Sequence, residues 1–156
     1  MLFYDIDLDE LMKKIDYEFE DENYLKRALI TSDFADKTDV SDIGHQEALE
    51  KYGDALIGFF AIEKGVKKGL AEKDKLHDFR TKYTENKFLV RIAKKLRLRD
   101  YVKWSETQRN QKHWKTDEVY ADCVEAIIGA IYQDSGILEA KKKYWKLVSL
   151  VKKRIY

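Results

Sequence analysis

The sequence predicts an all-α domain of about seven helices. The chain has no proline and only seven glycines in 156 residues, and this composition favours long helices over a sheet with many turns. Apolar residues recur at intervals of three and four, and no segment keeps the strict alternation of a β-strand. A chain of this length can bury one substantial core, so we expect a single domain over residues 1–156.

The predicted helices follow one another with short connections. Two stretches are polar enough to be predicted as loops: residues 32–44, rich in Ser, Asp and Thr, and residues 100–115, where Trp104 and Trp114 stand among polar residues. The apolar spacing predicts helices over residues 8–15, 22–31, 45–68, 73–83, 85–96, 117–133 and 137–155.

The helix over 45–68 has apolar residues on most of its sides, among them Leu49, Phe59 and Phe60, so we expect it to be central. Gly53 and Gly58 lie inside it, and each interior glycine costs a helix about 1 kcal/mol relative to alanine. Two such residues in a central helix indicate that another helix approaches closely.

The charges are divided unevenly along the chain, although the net charge is only +1. Residues 1–24 carry nine acids against two lysines, whereas residues 141–156 carry seven bases and no acid. Such a basic stretch either contacts phosphate or forms a solvated helix face, and charge alone does not separate the two.

The cysteine content and the N-terminus bear on the cellular compartment. A single cysteine, Cys123, excludes an internal disulfide and fits the reducing cytoplasm, and its apolar surroundings predict a small buried side chain rather than a nucleophile. The N-terminus lacks the pattern of a signal peptide, and no apolar run reaches the ~18 residues of a membrane span. We therefore expect a cytoplasmic protein that is not inserted in a membrane.

Two short segments place acids within otherwise apolar helices. Glu47, Glu50 and Asp54 share one helix face by their spacing of three and four, and Asp122 and Glu125 share a face of a second helix. If the two helices pack side by side, four or five carboxylates converge, and they repel one another unless a cation lies between them. Carboxylate oxygens suit a hard divalent ion, so the pattern predicts a site for Mg²⁺, with Mn²⁺ as a substitute.

Chance pairing of acids is the competing explanation. With 29 acids in the chain, pairs at helical spacing are expected on solvated faces, and either segment alone favours that interpretation. Both segments, however, combine acids with glycine and alanine inside apolar helices, where burying an unpaired carboxylate costs several kcal/mol. A shared metal site explains both segments together.

The same two segments resemble the signatures of the ribonuclease III family. Residues 45–55, His-Gln-Glu-Ala-Leu-Glu-Lys-Tyr-Gly-Asp-Ala, are similar to the first signature, usually written H-N-E-R-L-E-F-L-G-D-A. Residues 120–132 contain Ala-Asp-Cys-Val-Glu-Ala-Ile-Ile-Gly-Ala-Ile and are similar to the second, L-A-D-x-x-E-A-x-I-G-A-I. The likeness extends over about residues 12–151, in the family's order and near its spacing.

The resemblance implies a ribonuclease III-like endonuclease domain and assigns roles to five acids. Glu50, Asp54, Asp122 and Glu125 match the metal-binding set, with Asp54 and Glu125 catalytic. Glu47 matches an outer acid that contacts the substrate or a water molecule beyond the metal's own ligands. The implied reaction hydrolyses double-stranded or structured RNA with a divalent metal and leaves 5′-phosphate and 3′-hydroxyl ends. The implied assembly is a homodimer whose two sites cut opposite strands.

Several positions depart from the family pattern. Gln46 replaces its asparagine, Ala48 its arginine, and Lys51 an aromatic residue that in the family plugs a socket on the partner subunit. Glu72 is the nearest candidate for a further acid between the signatures, but it falls one residue out of register. We also expect no double-stranded-RNA-binding domain within residues 1–156, so RNA affinity has to come from the catalytic domain or from a partner.

Some residues keep two interpretations under this resemblance. The basic stretch 141–154 is one candidate phosphate contact. Trp104 and Trp114 either pin their loop to the core, which we favour, or stack on bases. His45 has a structural role or lies near the substrate, and the former is favoured.

Two other classes of function compete with the nuclease. One is a non-catalytic RNA-binding or ribosome-associated protein that kept the fold, and the other is a purely structural helical domain. Relatives that lose catalysis usually lose acids of the set, and all four acids are present here.

Overall fold

The computed structural model describes residues 2–112 and 117–152, and these residues confirm the all-α prediction. They form no strand, and their only β-type pairing is an isolated bridge between Ile30 and Lys103. The seven predicted helices are all present, together with shorter ones. The helices are α1 (Leu8–Ile15), α2 (Glu22–Ala28), α3 (Ser32–Lys37), α4 (Glu47–Lys67), α5 (Lys73–Thr84), α6 (Asn86–Leu96), the 3-10 helix Leu98–Asp100, α7 (Glu106–Asn110), α8 (Asp117–Ser135) and α9 (Ile137–Val151).

Helix α8 is the centre of the fold. Its residues from Tyr120 to Ile131 are almost all buried, and α2, α4, α6 and α9 pack around it. Helix α4 is its longest neighbour and crosses it closely. A Cβ added at Gly53 of α4 would lie 1.7 Å from the backbone oxygen of Glu125, and a Cβ added at Gly129 of α8 would lie 2.0 Å from that of Leu49. The close approach predicted from Gly53 is therefore confirmed, and a second glycine on the facing helix makes it reciprocal.

Gly58 accommodates a side chain rather than a second helix backbone. A Cβ at this position would lie 2.7 Å from Nε and from an Nη of Arg80, which reaches over α4 from α5. The expectation of a close helix is thus wrong for Gly58, because the glycine makes room for a guanidinium.

Helix α4 is central, as predicted, but not all of its apolar residues are buried. Leu49, Ile57 and Phe60 are buried against the core, whereas Phe59 is 52% exposed. One stripe of apolar residues on α4 therefore faces away from α8.

Two predicted loops contain short helices. Helix α3 begins where the Thr31 hydroxyl accepts a hydrogen bond from the Phe34 amide, and Asp33 pairs with Lys37 one turn later, at 3.1 Å. Helix α7 begins at a capping box formed by Ser105 and Gln108. Both segments are too short and polar to show helical periodicity, so their capping residues are the signals that would have identified them.

Part of the basic stretch pairs with acids of other elements. Asp16, after α1, accepts hydrogen bonds from Lys143 and Lys146 of α9, and Lys141 pairs with Glu63 of α4 at 2.9 Å. Three lysines of the stretch thus share two acids. None of the described helices combines the length and the apolar character needed to cross a membrane.

Candidate metal centre and active site

The four predicted metal ligands meet where α4 crosses α8. Glu50 and Asp54 are one turn apart on α4, and Asp122 and Glu125 are neighbours on one face of α8. The contact of Gly53 with the backbone of Glu125 holds the two helices close at this level. The glycine-mediated crossing is thus the local reason why acids distant in sequence share one site.

The carboxyl groups lie in two close pairs across the crossing. Asp122 is within hydrogen-bonding reach of Glu50, and Glu125 is within reach of Asp54. A hydrogen bond within such a pair requires one of its two carboxyl groups to keep a proton. Each pair contains one carboxyl group from α4 and one from α8. The acids of the two helices thus converge, as expected for helices that pack side by side.

Burial and mutual repulsion make three of these groups weak acids. Desolvation, together with the negative charges of Asp54, Asp122 and Glu50, raises the pKa of Glu125 to about 8. Desolvation and the charge of Glu50 raise the pKa of Asp122 to about 7. The pKa of Glu50 is also raised, chiefly by burial. A site that holds protons near neutral pH in this way is suited to exchange them for a cation.

Three exposed charges surround the cluster. The negative charge of Glu47 raises the pKa of Glu50, so this predicted substrate-binding residue lies beside the cluster but outside the two pairs. Glu118, one turn before Asp122 on α8, acts in the same way on Asp122. Sequence reasoning missed Glu118, although its spacing of four from Asp122 was a visible signal. Lys51 opposes both effects, since its positive charge lowers the pKa of Glu50 and Asp122.

Polar contacts of residues that neighbour the acids in sequence hold the two helices near the cluster. Gln46 is 5% exposed, its backbone amide donates to the Ile30 carbonyl at 3.0 Å, and its side chain accepts a hydrogen bond from Cys123 at 3.4 Å. Cys123 is fully buried, which raises the pKa of its thiol and confirms that it is a buried structural residue. The predicted structural role of His45 is supported too, because its Nδ1 accepts from the Glu47 amide at 3.4 Å and its carbonyl accepts from Arg27.

The fit of this site to a metal rests on the chemistry of its donors. Within residues 2–112 and 117–152, no three acidic, histidine or cysteine side chains are arranged to hold one ion as they stand. The four carboxyl groups are instead turned toward each other in their pairs. They supply only oxygen donors, they are close enough to perturb one another, and rotation of their side chains about fixed helices would open both pairs. The donor set therefore suits a hard divalent cation.

Other candidate residues lie apart from the cluster. Glu72 is exposed at the start of α5 and pairs with Lys75 at 3.8 Å. Trp104 is 6% exposed and its indole donates to the Arg99 carbonyl at 3.2 Å, which supports the role of pinning its loop to the core. Trp114 lies outside the described residues, as do Lys153 and Arg154 of the basic stretch.

The sequence matches a family model and curated proteins from bacteria. The model of the ribonuclease III domain matches residues 47–136, which include both acidic segments. Ribonuclease 3 of Glaesserella parasuis is 31% identical over 138 residues, covering 87% of this chain and 58% of that protein. Ribonuclease 3 of Idiomarina loihiensis is 34% identical over 132 residues, covering 83% of this chain and 54% of that protein. The chain thus spans a little over half the length of these relatives.

The fold matches solved structures over nearly their whole length. One structure of the nuclease domain of ribonuclease III from Campylobacter jejuni, described for flexibility in a region involved in dimer formation, superposes with a TM-score of 0.85 at 27% identity. The superposition includes 98% of that structure and 93% of this chain. A second, a 2.2 Å crystal structure of the same domain, gives a TM-score of 0.83 at 27% identity and covers 97% of this chain. By sequence and by fold, the chain belongs to the ribonuclease III family.

Proposed function

We propose that this protein is an endoribonuclease that hydrolyses phosphodiester bonds of double-stranded or structured RNA, leaving 5′-phosphate and 3′-hydroxyl ends. The observation that carries the proposal is the set of four carboxyl groups joined in two pairs at the α4–α8 crossing. Membership of the ribonuclease III family supports RNA as the substrate. We further propose that residues 1–156 act as one catalytic domain, and that the protein works in the cytoplasm, with which its single buried cysteine is compatible.

Glu50, Asp54, Asp122 and Glu125 would hold the divalent ion, which we take to be Mg²⁺ with Mn²⁺ as a substitute. When bound, such an ion lowers the pKa of water and stabilises the negative charge that develops on a phosphodiester. Because the pKa values of Asp122 and Glu125 are raised, binding of the cation would favour loss of their protons, so that all four groups become anionic. We propose that Glu47, which is exposed beside Glu50, contacts the substrate from outside the set.

The direct test of the activity is cleavage of a long RNA duplex. We expect wild-type protein with Mg²⁺ to shorten the duplex to fragments that carry 5′-phosphates, and we expect excess EDTA to stop the reaction. Single-stranded RNA of the same sequence, without stable structure, is the substrate control. Binding of the duplex without cleavage under any divalent metal would contradict the proposal and favour the non-catalytic RNA-binding protein instead.

The exposed face of α4 supports a homodimer. Phe59 and Val66 are 52% and 54% exposed, and Tyr52 and Ile62 are 45% and 39% exposed on the same side of the helix. Their spacing of three, four and seven residues puts them in one continuous apolar stripe. Monomeric proteins seldom expose such a stripe to solvent. A stripe on a single helix is self-complementary when two copies meet about a two-fold axis. We therefore propose that a second copy of this chain covers it, even though Lys51 replaces the family's aromatic plug.

Replacing Phe59 with glutamate is expected to convert the dimer to a monomer. The substitution places two charges, one from each copy, within the proposed contact, where they lose hydration and repel each other. Light scattering over a range of protein concentrations measures the change. Thr81→Glu on the exposed side of α5 adds the same charge elsewhere and is expected to leave the mass unchanged. A wild-type protein that is monomeric at every concentration would contradict the dimer.

A further inference from the structure

A second group of charges lies at the far end of α4 from the carboxylates. Lys68, Lys82, Arg91 and Lys152 line one open groove of about 520 Å³, between the C-terminal ends of α4, α5 and α9 and the exposed side of α6. No acid lines this groove among the described residues. Lys68 lies 14 residues after Asp54, so it is roughly 21 Å away along the helix axis. The groove is therefore separate from the carboxylate cluster.

Within the described structure, the four groove cations differ from the paired lysines of α9 in having no carboxylate partner, and they share this property with several exposed lysines elsewhere. Lys141, Lys143 and Lys146 of α9 are each paired with an acid. In the described parts of the chain, none of the four groove cations forms an ion pair with a carboxylate. In a protein with 30 bases and 29 acids, this groove thus keeps a local excess of positive charge.

Two of the four positive side chains are held in place by aromatic rings, a hydroxyl group and a backbone carbonyl. Lys152 donates to the Tyr83 hydroxyl at 2.8 Å and lies 5.2 Å from the centre of its ring. Arg91 donates to the Val151 carbonyl at the end of α9 and lies 5.9 Å from the ring of Phe88. Contacts of this kind order a cation without neutralising its charge. The groove is therefore positioned to bind an anion.

Two of the groove cations also lie close enough to a neighbouring lysine to act on its charge. Lys64, one turn before Lys68, lies 4.1 Å above the ring of Trp145. Burial lowers the pKa of Lys64, and the charges of Lys152 and Lys68 lower it further. An anion in the groove would relieve this repulsion.

The aromatic floor favours phosphate over bases as the bound group. Tyr83 makes edge contacts with Phe79, Phe88 and Trp145, at centroid distances of 5.2, 5.7 and 5.2 Å. Tyr83 thus contacts three rings of the protein and Lys152, and it is 5% exposed, which leaves little of its ring for a base to stack on. Lysine and arginine on a groove of this kind contact the sugar–phosphate backbone without reading sequence.

We propose that this groove binds phosphate groups of the RNA backbone outside the cleavage site and so lengthens the contact with the substrate. The proposal rests on the proposed function, since it takes RNA as the ligand. It differs from the expectation for the basic stretch 141–154, because three of the four cations lie outside that stretch.

The test compares two double variants in a Glu125→Gln background, which keeps the RNA intact. The groove variant carries Lys68→Gln and Lys82→Gln. The matched control carries Lys13→Gln and Lys73→Gln, which remove two exposed, unpaired lysines elsewhere. Binding of an RNA duplex is measured across a range of salt concentrations. We expect the slope of log affinity against log salt to fall by about two in the groove variant only. Between ~50 and ~200 mM salt, the parent should then lose roughly tenfold more affinity than the groove variant.

Three outcomes would overturn the proposal, and they are distinguishable. If the groove variant and the control variant bind duplex equally, the groove is a solvated surface. If inorganic pyrophosphate raises the unfolding temperature of the parent but not of the groove variant, while RNA binding is equal, the groove serves a free phosphate compound. If neither the parent nor any variant binds duplex RNA, the proposed function itself fails, and the RNA site fails with it.

Discussion

Replacing Glu125 with glutamine is expected to abolish RNA cleavage and, at the same time, to stabilise the metal-free protein at pH 8. The activity should fall by at least about a hundredfold, because an amide cannot supply the negative charge that the proposed metal site requires. The fold should be maintained, since glutamine has the same shape and its amide can donate to Asp54 as protonated Glu125 does.

The gain in stability follows from the direction of the pKa shift. The pKa of Glu125 is about 8 in the folded protein, against an ordinary value of 4.5. Between these values the folded state holds a proton that the unfolded chain releases, so the free energy of unfolding decreases as the pH rises. The slope is about 1.4 kcal/mol per pH unit for each such proton, and Asp122, with a pKa of about 7, adds to it over its own range. Glutamine at position 125 removes one of these contributions.

Urea denaturation of the metal-free protein at several pH values from 4 to 8 measures this effect. At the acidic end of this range, acids with lowered pKa values, such as Asp16 and Glu63, act in the opposite direction. Above their ordinary pKa values, wild type should lose stability as the pH rises toward 8, and Glu125→Gln should lose less. Glu18→Gln removes an exposed acid and is the matched control, with the wild-type pH dependence expected. A Glu125→Gln protein that still cuts RNA, or that is less stable than wild type at pH 8, would contradict the proposed role of this residue.

Replacing Gly53 with alanine is expected to have the largest effect on the fold. The added Cβ would lie 1.7 Å from the backbone oxygen of Glu125, and no side-chain rotation relieves a clash between a Cβ and a backbone atom. The two helices must move apart, so we expect a loss of at least about 3 kcal/mol, or failure to fold. Because Glu125 itself is the residue displaced, any folded Gly53→Ala protein should also lose metal affinity.

Chemical denaturation of three glycine variants tests this prediction. Gly129→Ala should be similarly destabilising, since its Cβ would lie 2.0 Å from the backbone oxygen of Leu49. Gly69→Ala is the control for glycine replacement as such. Gly69 has a φ of +93° but no atom within 4 Å of the added Cβ, so only backbone strain of about 1–2 kcal/mol is expected. If Gly53→Ala were no more destabilising than Gly69→Ala, the close helix crossing would be wrong.

The sequence was sufficient to predict the long helices and the acids because both depend on local spacing. Glu50, Asp54, Asp122 and Glu125 follow helical intervals, and Gly53 gave a visible reason for close packing. Helices α3 and α7 were missed because they have only six and five residues and depend on caps at Thr31 and Ser105 rather than on periodicity. Short elements of this kind are determined by single hydrogen bonds, which a pattern of apolar residues does not record.

The features that the sequence did not predict arise from contacts between distant segments. Which carboxyl groups share a proton depends on the depth at which α4 and α8 cross, so the Asp122–Glu50 and Glu125–Asp54 pairs could not be read from spacing. The exposed stripe of α4 could not be predicted for a similar reason. Apolar residues on several sides of a helix give the same sequence pattern whether they pack against the core or against a second chain. The positive charge of the groove depends on which lysines form ion pairs with acids elsewhere in the fold.

The most direct test of the central claim, that the four carboxyl groups form one divalent-metal site, is the unfolding temperature at pH 8 as a function of Mg²⁺ or Mn²⁺ concentration. An ion that binds only the folded state raises this temperature as its concentration exceeds the dissociation constant. We predict a saturable increase for wild type and for the control Glu18→Gln, and none for Asp54→Asn or Asp122→Asn. No increase in wild type, or an equal increase in Asp54→Asn, would contradict the claim.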